Sequence, residues 1–174
     1  MKKILVVVDI QNDFVDGALG SEQAIAIVDR AAQKIKNHNG QIFVTYDTHF
    51  DDYLETFEGR KLPVPHCIKG TSGWNLNSRI ASALSDKRYI TVEKNTFGSV
   101  ELPKLIQKEC GDEEVQIELI GLCTDICVVS NALILKAYFP NCTISVDSSC
   151  CAGVTPQSHQ AAVDTMKACQ IEVS

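Results

Sequence analysis

The sequence predicts a three-layer α/β/α fold around a central, mostly parallel sheet of Rossmann-like topology. Short Val/Ile-rich runs recur at residues 4–8, 41–46, 89–92, 115–120 and 143–146, and helical patterns stand between them. The run at 4–8 is continuously apolar and the others are rich in β-branched residues, as strands covered on both faces require. Intervening helices supply the crossovers that parallel pairing needs.

Each element has its own local signal. After the first strand, Ser21 is a good N-cap for a helix over 22–37, whose Ala24, Ile27, Val28, Ala31 and Ile35 share one face, and Gly40 reads as its stop. The second strand follows directly, then a short helix at 78–84 and the third strand. Residues 99–109 read as helical, with Pro103 tolerable only in a first turn that begins near Leu102. The fourth and fifth strands flank a long apolar helix over 124–138, capped by Thr124, with residues 132–138 read as core and an oligomer interface as the alternative. A last helix spans 155–169, and residues 171–173 suit an edge strand. The connection over 48–77 is long, polar and punctuated by Gly and Pro, which in a compact protein usually signals function. No repeat or linker interrupts the 174 residues, which suffice for a single domain, 1–174, with a sizeable core.

Composition narrows the function classes. Hydrophobic residues make up 45% and charged residues 22%, ordinary for a globular protein, and the net charge of −6 argues against nucleic acid or an anionic membrane as partner. No apolar stretch approaches the ~20 residues that span a bilayer. Met1-Lys2-Lys3 runs straight into a strand too short for an export segment, so a cytoplasmic protein is expected. The eight cysteines form no C-x-x-C pair and are expected to be reduced thiols; Cys150-Cys151 has no functional account.

Ligands of an open parallel sheet bind beyond the carboxyl ends of its strands. Four chemistry-bearing residues stand there: Asp9, Asp47, Lys94 and Cys127. On the first turn of a helix, Cys127 would meet the positive end of the backbone dipole, which favours thiolate, and would face the cleft as a nucleophile. Plain readings stand beside these: a buried apolar thiol, a capping Asp9, a solvated loop Lys94. Asp47 and His49 point to the same side of an extended segment, and His66 in the same long connection completes a carboxylate–bis-imidazole set suited to one divalent metal, Zn first, with Mn or Fe as alternatives. Loop polarity and a core histidine are the plain alternatives.

Five blocks in order extend these signals: Val7-Val8-Asp9-Ile10-Gln11-Asn12-Asp13-Phe14, Asp47-Thr48-His49, Pro65-His66-Cys67-Ile68-Lys69-Gly70-Thr71, Lys94-Asn95-Thr96-Phe97-Gly98-Ser99 and Gly121-Leu122-Cys123-Thr124-Asp125-Ile126-Cys127-Val128. Through them nearly the whole chain resembles the isochorismatase-like cysteine hydrolases, and within them the nicotinamidase branch. The resemblance implies an isochorismatase-like fold, an Asp9–Lys94–Cys127 triad, and a metal trio of Asp47, His49 and His66. It further implies a cis Leu122–Cys123 peptide that aims the backbone N–H groups of Cys123 and Cys127 at an oxyanion. The implied activity is hydrolysis of a small primary amide, nicotinamide first, by a homo-oligomer. Glu58 is a weaker fourth contact for the metal, its place in the loop unfixed by spacing.

Thr48 and Pro63 stand where that branch usually carries aromatics, so the ring pocket rests on Phe14 and Phe97, with Trp74 read as a loop anchor. Two other readings are weighed: an isochorismatase-type vinyl-ether hydrolase, which needs neither nucleophilic cysteine nor metal, and a non-catalytic binding protein on the same scaffold. A redox role for the Cys123/Cys127 pair is weaker.

Overall fold

The computed structural model describes every residue except Asp112. Six strands form one parallel sheet: β1 (Lys2–Val8), β2 (Gln41–Asp47), β3 (Tyr89–Lys94), β4 (Val115–Leu122), β5 (Thr143–Ala152) and β6 (Glu172–Val173), in the spatial order β3-β2-β1-β4-β5-β6. The helices are α1 (Asn12–Val15), α2 (Glu22–Asn37), α3 (Phe57–Lys61), α4 (Ser78–Leu84), α5 (Glu101–Cys110), α6 (Val129–Tyr138) and α7 (Pro156–Ala168).

Strand alternation splits the core in two. Ile4, Val6 and Val8 pack with Leu102, Ile106, Leu135 and Met166 of α5–α7, whereas Leu5 and Val7 pack with Ile27, Val28 and Ile80 of α2 and α4. Both faces of β1 are therefore covered, and its run of five apolar residues needs no polar alternate. Cys151 and Cys150 lie one on each side of the sheet and fill core space.

Helix limits follow local chemistry. The Ser21 hydroxyl accepts the Ala24 N–H at 3.0 Å, as an N-cap should, and Thr155 with Ser158 forms a capping box on α7. α5 starts at Glu101, and the Ser99 hydroxyl accepts the Leu102 N–H at 3.2 Å, so Pro103 falls in the first turn, where its missing donor is harmless. Gly40 is not the stop of α2. That helix ends at Asn37 with His38 already extended, and Gly40 serves close approach: a Cβ there would lie 2.0 Å from the Lys3 carbonyl oxygen.

Three further expectations change. The helix expected over 124–138 is a π turn, Thr124–Val128, followed by α6. Thr124 is not its cap; Cys123 holds that position, and the buried Thr124 hydroxyl instead hydrogen-bonds His159 Nδ1 at 2.8 Å. β5 runs on to Ala152, because a register shift between Leu119 and Gly121 lets the polar Asp147-Ser148-Ser149 segment stay in the strand. The long connection holds α3 and a 3₁₀ turn, Tyr53–Glu55.

Strands run outward from the centre in two directions, β1-β2-β3 and β4-β5-β6, so the order reverses between β1 and β4. In open parallel sheets the ligand crevice opens at such a reversal, at the carboxyl ends. Gly121 makes that junction tight. At φ +130° its ideal Cβ would lie 2.1 Å from the Val8 carbonyl oxygen. Gly121→Ala is expected to cost about 3 kcal/mol or more, a fall in Tm of roughly 6–12 °C for a protein this size; a thermal melt of the variant checks it.

Candidate active site and metal centre

The crevice between β1 and β4 gathers the residues that the strand ends suggested. Asp9 leaves β1 at φ +48°, a left-handed conformation uncommon outside glycine, and is wholly buried. Its Oδ1 accepts the Thr45 hydroxyl at 2.6 Å. The Lys94 ammonium lies 2.6 Å from Asp9 Oδ2, 3.5 Å from Cys127 Sγ and 3.5 Å from Asp47 Oδ1. One ammonium thus lies against a carboxylate, a sulfur and a second carboxylate. β2–β3 pairing sets this up, because Asp47 and Lys94 are register partners.

Cys127 sits on the π turn beyond β4, and the Leu122–Cys123 peptide before it is cis. The Cys123 carbonyl accepts the N–H groups of Ile126 and Val128, both at 3.1 Å, skipping that of Cys127 between them.

The electrostatics differ from the expectation for a helix-start thiol. Cys127 is 4% exposed and does not face open solvent. Burial pushes its thiol well above the ordinary cysteine value and the Asp9 carboxylate adds to that, while Lys94 offsets only part. Desolvation outweighs the helix dipole, so the resting group is a thiol. Burial also raises Asp9, against the pull of Lys94. For Lys94, burial works against the charge, but the carboxylates of Asp9 and Asp47 overrule it and keep the ammonium protonated. Cys123, half-buried beside the cavity, is pushed up to about 12 by burial and by Asp125.

The second cluster lies against the first. His49 Nε2 stands 3.1 Å and His66 Nε2 3.5 Å from Asp47 Oδ2, and all three side chains are buried. Gln11, also buried, fixes Asp47 by accepting its N–H at 2.8 Å and donating to its carbonyl at 2.9 Å. A bridge between His49 and Ile68 brings the His66 segment alongside, and Asp13 accepts the Cys67 N–H at 2.8 Å. His66 Nδ1 donates to the Val64 carbonyl at 2.8 Å, which leaves Nε2 as the lone-pair nitrogen. Burial would raise Asp47, but the two imidazoles and Lys94 outweigh it and hold the carboxyl well below the usual range.

These donors fit a divalent metal. Ligands about 2.1 Å from a tetrahedral ion lie about 3.4 Å from one another, and the Asp47–His49 and Asp47–His66 separations bracket that value. Glu58 Oε1 faces the same point, 3.8 Å from His49 Nε2 and 3.7 Å from His66 Nε2. The Tyr53 ring packs edge-on against both imidazoles and holds them from the side.

Both clusters border one narrow apolar cavity, walled by Phe14, Leu19, Leu62, Phe97 and Ile126 and lined also by Cys123, Cys127, Asp47, Glu58 and His66. Phe14 is buried, 5.5 Å from His66, whereas Phe97 is half exposed at the mouth. Trp74 stays outside and acts as an anchor: its indole N–H donates to the Thr48 hydroxyl at 2.9 Å. Every site residue read from the sequence meets at this crevice. Gln11, Thr45 and Asn131 were not singled out; Gln11 lay in a quoted block, but nothing in its type or spacing set it apart.

Comparison with known proteins agrees with this geometry. The isochorismatase domain family model matches residues 3–174. The nicotinamidase/pyrazinamidase PncA structure from Bacillus subtilis is 28% identical with a TM-score of 0.84, covering 100% of both chains. The pyrazinamidase/nicotinamidase of Streptococcus mutans is 30% identical with a TM-score of 0.82, covering 99% of each. The nicotinamidase/pyrazinamidase of Mycobacterium tuberculosis is 26% identical over 98% of this chain and 97% of its own. The chain belongs to the isochorismatase family, in its nicotinamidase-like branch.

Proposed function

We propose that the chain acts as one domain, a cysteine amidohydrolase that cleaves a small primary amide of nicotinamide type to the acid and ammonia through a thioester on Cys127. The observation that carries this reading is the Lys94 ammonium held between Asp9 and Cys127 Sγ, with Cys127 lining an apolar cavity. The relatives' names, nicotinamidase and pyrazinamidase, support the substrate class.

The resting charges suggest the sequence of proton moves. Cys127 is a thiol and Asp9 a carboxylate whose affinity for a proton is raised by burial, which makes Asp9 a stronger base toward the thiol than an exposed carboxylate would be. With an amide carbonyl over the sulfur, Asp9 takes the thiol proton and the S–C bond forms. The N–H groups of Cys123 and Cys127 stabilise the oxyanion. Asp9 then gives its proton to the departing nitrogen, and ammonia leaves as the C–N bond breaks. Water attacks the thioester, Asp9 accepts its proton and returns it to the sulfur, and the acid departs. Lys94 stays charged throughout and keeps Asp9 in reach of the thiol. Asp47, His49 and His66, with Glu58 at longer range, would hold a divalent metal, zinc first, that supplies a Lewis acid facing the same cavity.

Elemental analysis of gently purified protein is expected to find about one divalent metal per chain, as three buried donors at ligand spacing imply. His49→Ala with His66→Ala should remove it. Full metal content in that double variant would contradict the assignment. The function itself is tested by an ammonia-release screen over nicotinamide, pyrazinamide and small aliphatic amides. Turnover of isochorismate alone, or of no amide at any concentration, would overturn the proposal in favour of the vinyl-ether or binding-protein readings.

A further inference from the structure

We propose that Asn131 is a positioning residue that ties the Cys127 turn to the Phe97 loop, so that one buried amide sets both the nucleophile and the wall of the pocket. Asn131 is the third residue of α6, on a helix that is otherwise apolar inward, and is wholly buried. Its Nδ2 donates to the Cys127 carbonyl at 2.8 Å and to the Phe97 carbonyl at 3.3 Å. Its Oδ1 accepts the Ser99 N–H at 2.9 Å. Both donor hydrogens and the acceptor are thus used, one toward the thiol-bearing turn and two toward the loop that begins right after Lys94.

Two features make the tie consequential. The Val129 N–H closes the π turn on the carbonyls of Thr124 and Ile126, and the Asn131 amide adds a side-chain donor at the carbonyl of Cys127. The loop lies directly on α6: a Cβ at Gly98 would stand 2.5 Å from Ile134 Cδ1 and 3.1 Å from Ser130 Cβ. A leucine at 131 would suit the helix, yet take from the Ser99 N–H and from the Cys127 and Phe97 carbonyls the side-chain partner they have. A displaced loop would carry Phe97 off the cavity, and a displaced turn would carry Sγ off the carbonyl.

The kinetic part rests on the amidase reading. The test compares Asn131→Ala, Phe97→Ala and the double variant for kcat/KM on nicotinamide and on acetamide. Losing a buried, shared amide is expected to cut the preference for nicotinamide about tenfold, and Phe97→Ala should cut it too. In the double variant the preference should fall no further than in Phe97→Ala, while kcat for both amides stays low because the turn has moved. Additive losses of preference, or a lower Tm with kinetics unchanged, would overturn the proposal and leave Asn131 as core. If the alanine variant does not fold, Asn131→Asp keeps the acceptor for Ser99, removes both donors, and should give the same non-additive pattern.

Hydrogen exchange supplies a readout independent of substrate. Asn131→Ala should speed exchange together in peptides covering residues 95–100 and 124–130, with α2 unchanged. Faster exchange in only one of the two, or throughout the protein, would contradict the tie. If the unaltered protein hydrolyses no amide, the amidase reading fails, and the exchange result still decides this one.

Discussion

Cys127→Ala is expected to lower amide turnover by about 10⁴-fold or more while the protein stays folded. The size follows from losing the sulfur beside the Asp9–Lys94 pair; the oxyanion donors and the apolar walls remain but have no activated nucleophile to assist. The small structural cost follows from packing. Cys127 lies in the core half formed with α6 and α7, and trading its sulfur for hydrogen costs about 1 kcal/mol. Lys94 keeps its two carboxylate partners, so no buried charge is stranded. Ammonia release and a thermal melt, measured on the same preparation, check both halves. Retained turnover would sink the nucleophile assignment.

A larger stability effect is expected at Lys94. Lys94→Met keeps most of the stem's bulk and removes the charge that offsets Asp9, which is wholly buried with Thr45 as its other partner. Breaking a buried pair from one side costs about 3–5 kcal/mol, because the remaining charge is uncompensated. Turnover should fall as well, since Asp9 is no longer held as a carboxylate near the thiol. Adding Asp9→Asn removes the stranded charge, and the double variant should be more stable than Lys94→Met alone, though still inactive. Urea denaturation of the three variants reads the coupling directly; a double variant less stable than either single would show that the pair is not what holds the site.

Most of the architecture could be read from the chain, and the reason is periodicity. The run at 4–8 is apolar at every residue because both faces of that central strand are covered; 115–120 shows the same only at alternate positions, with Gln116 and Glu118 between its buried residues. Ser21 could be read as a cap because capping is local, whereas Thr155, read as the first residue of the last helix, is the cap of α7. Features made by tertiary contact left no such trace. α1 has four residues and no side-chain cap, and its Asn12 and Asp13 N–H groups bond to the carbonyls of Asn75 and Gly73, far along the chain. The π turn needs Thr124 drawn aside to His159, which no spacing announces.

The site divides in the same way. Asp9, Asp47, Lys94 and Cys127 were legible because topology sends strand ends to one edge, and His49 and His66 because their types are distinctive near an aspartate. What surrounds Cys127 was not. The helix dipole is a local property and suggested a thiolate, whereas the desolvation that reverses it is set by α6, α7 and the β1 end together. Asn131 and Gln11 look like ordinary amides until the carbonyls they reach are known.

The most direct test of the account is acid quench of the enzyme during turnover of an excess of nicotinamide, followed by peptide mass spectrometry. The account predicts an acyl group on the peptide carrying Cys127, labile to hydroxylamine and absent in Asp9→Asn. An acyl group on another cysteine, or none at any quench time while acid and ammonia accumulate, would contradict it.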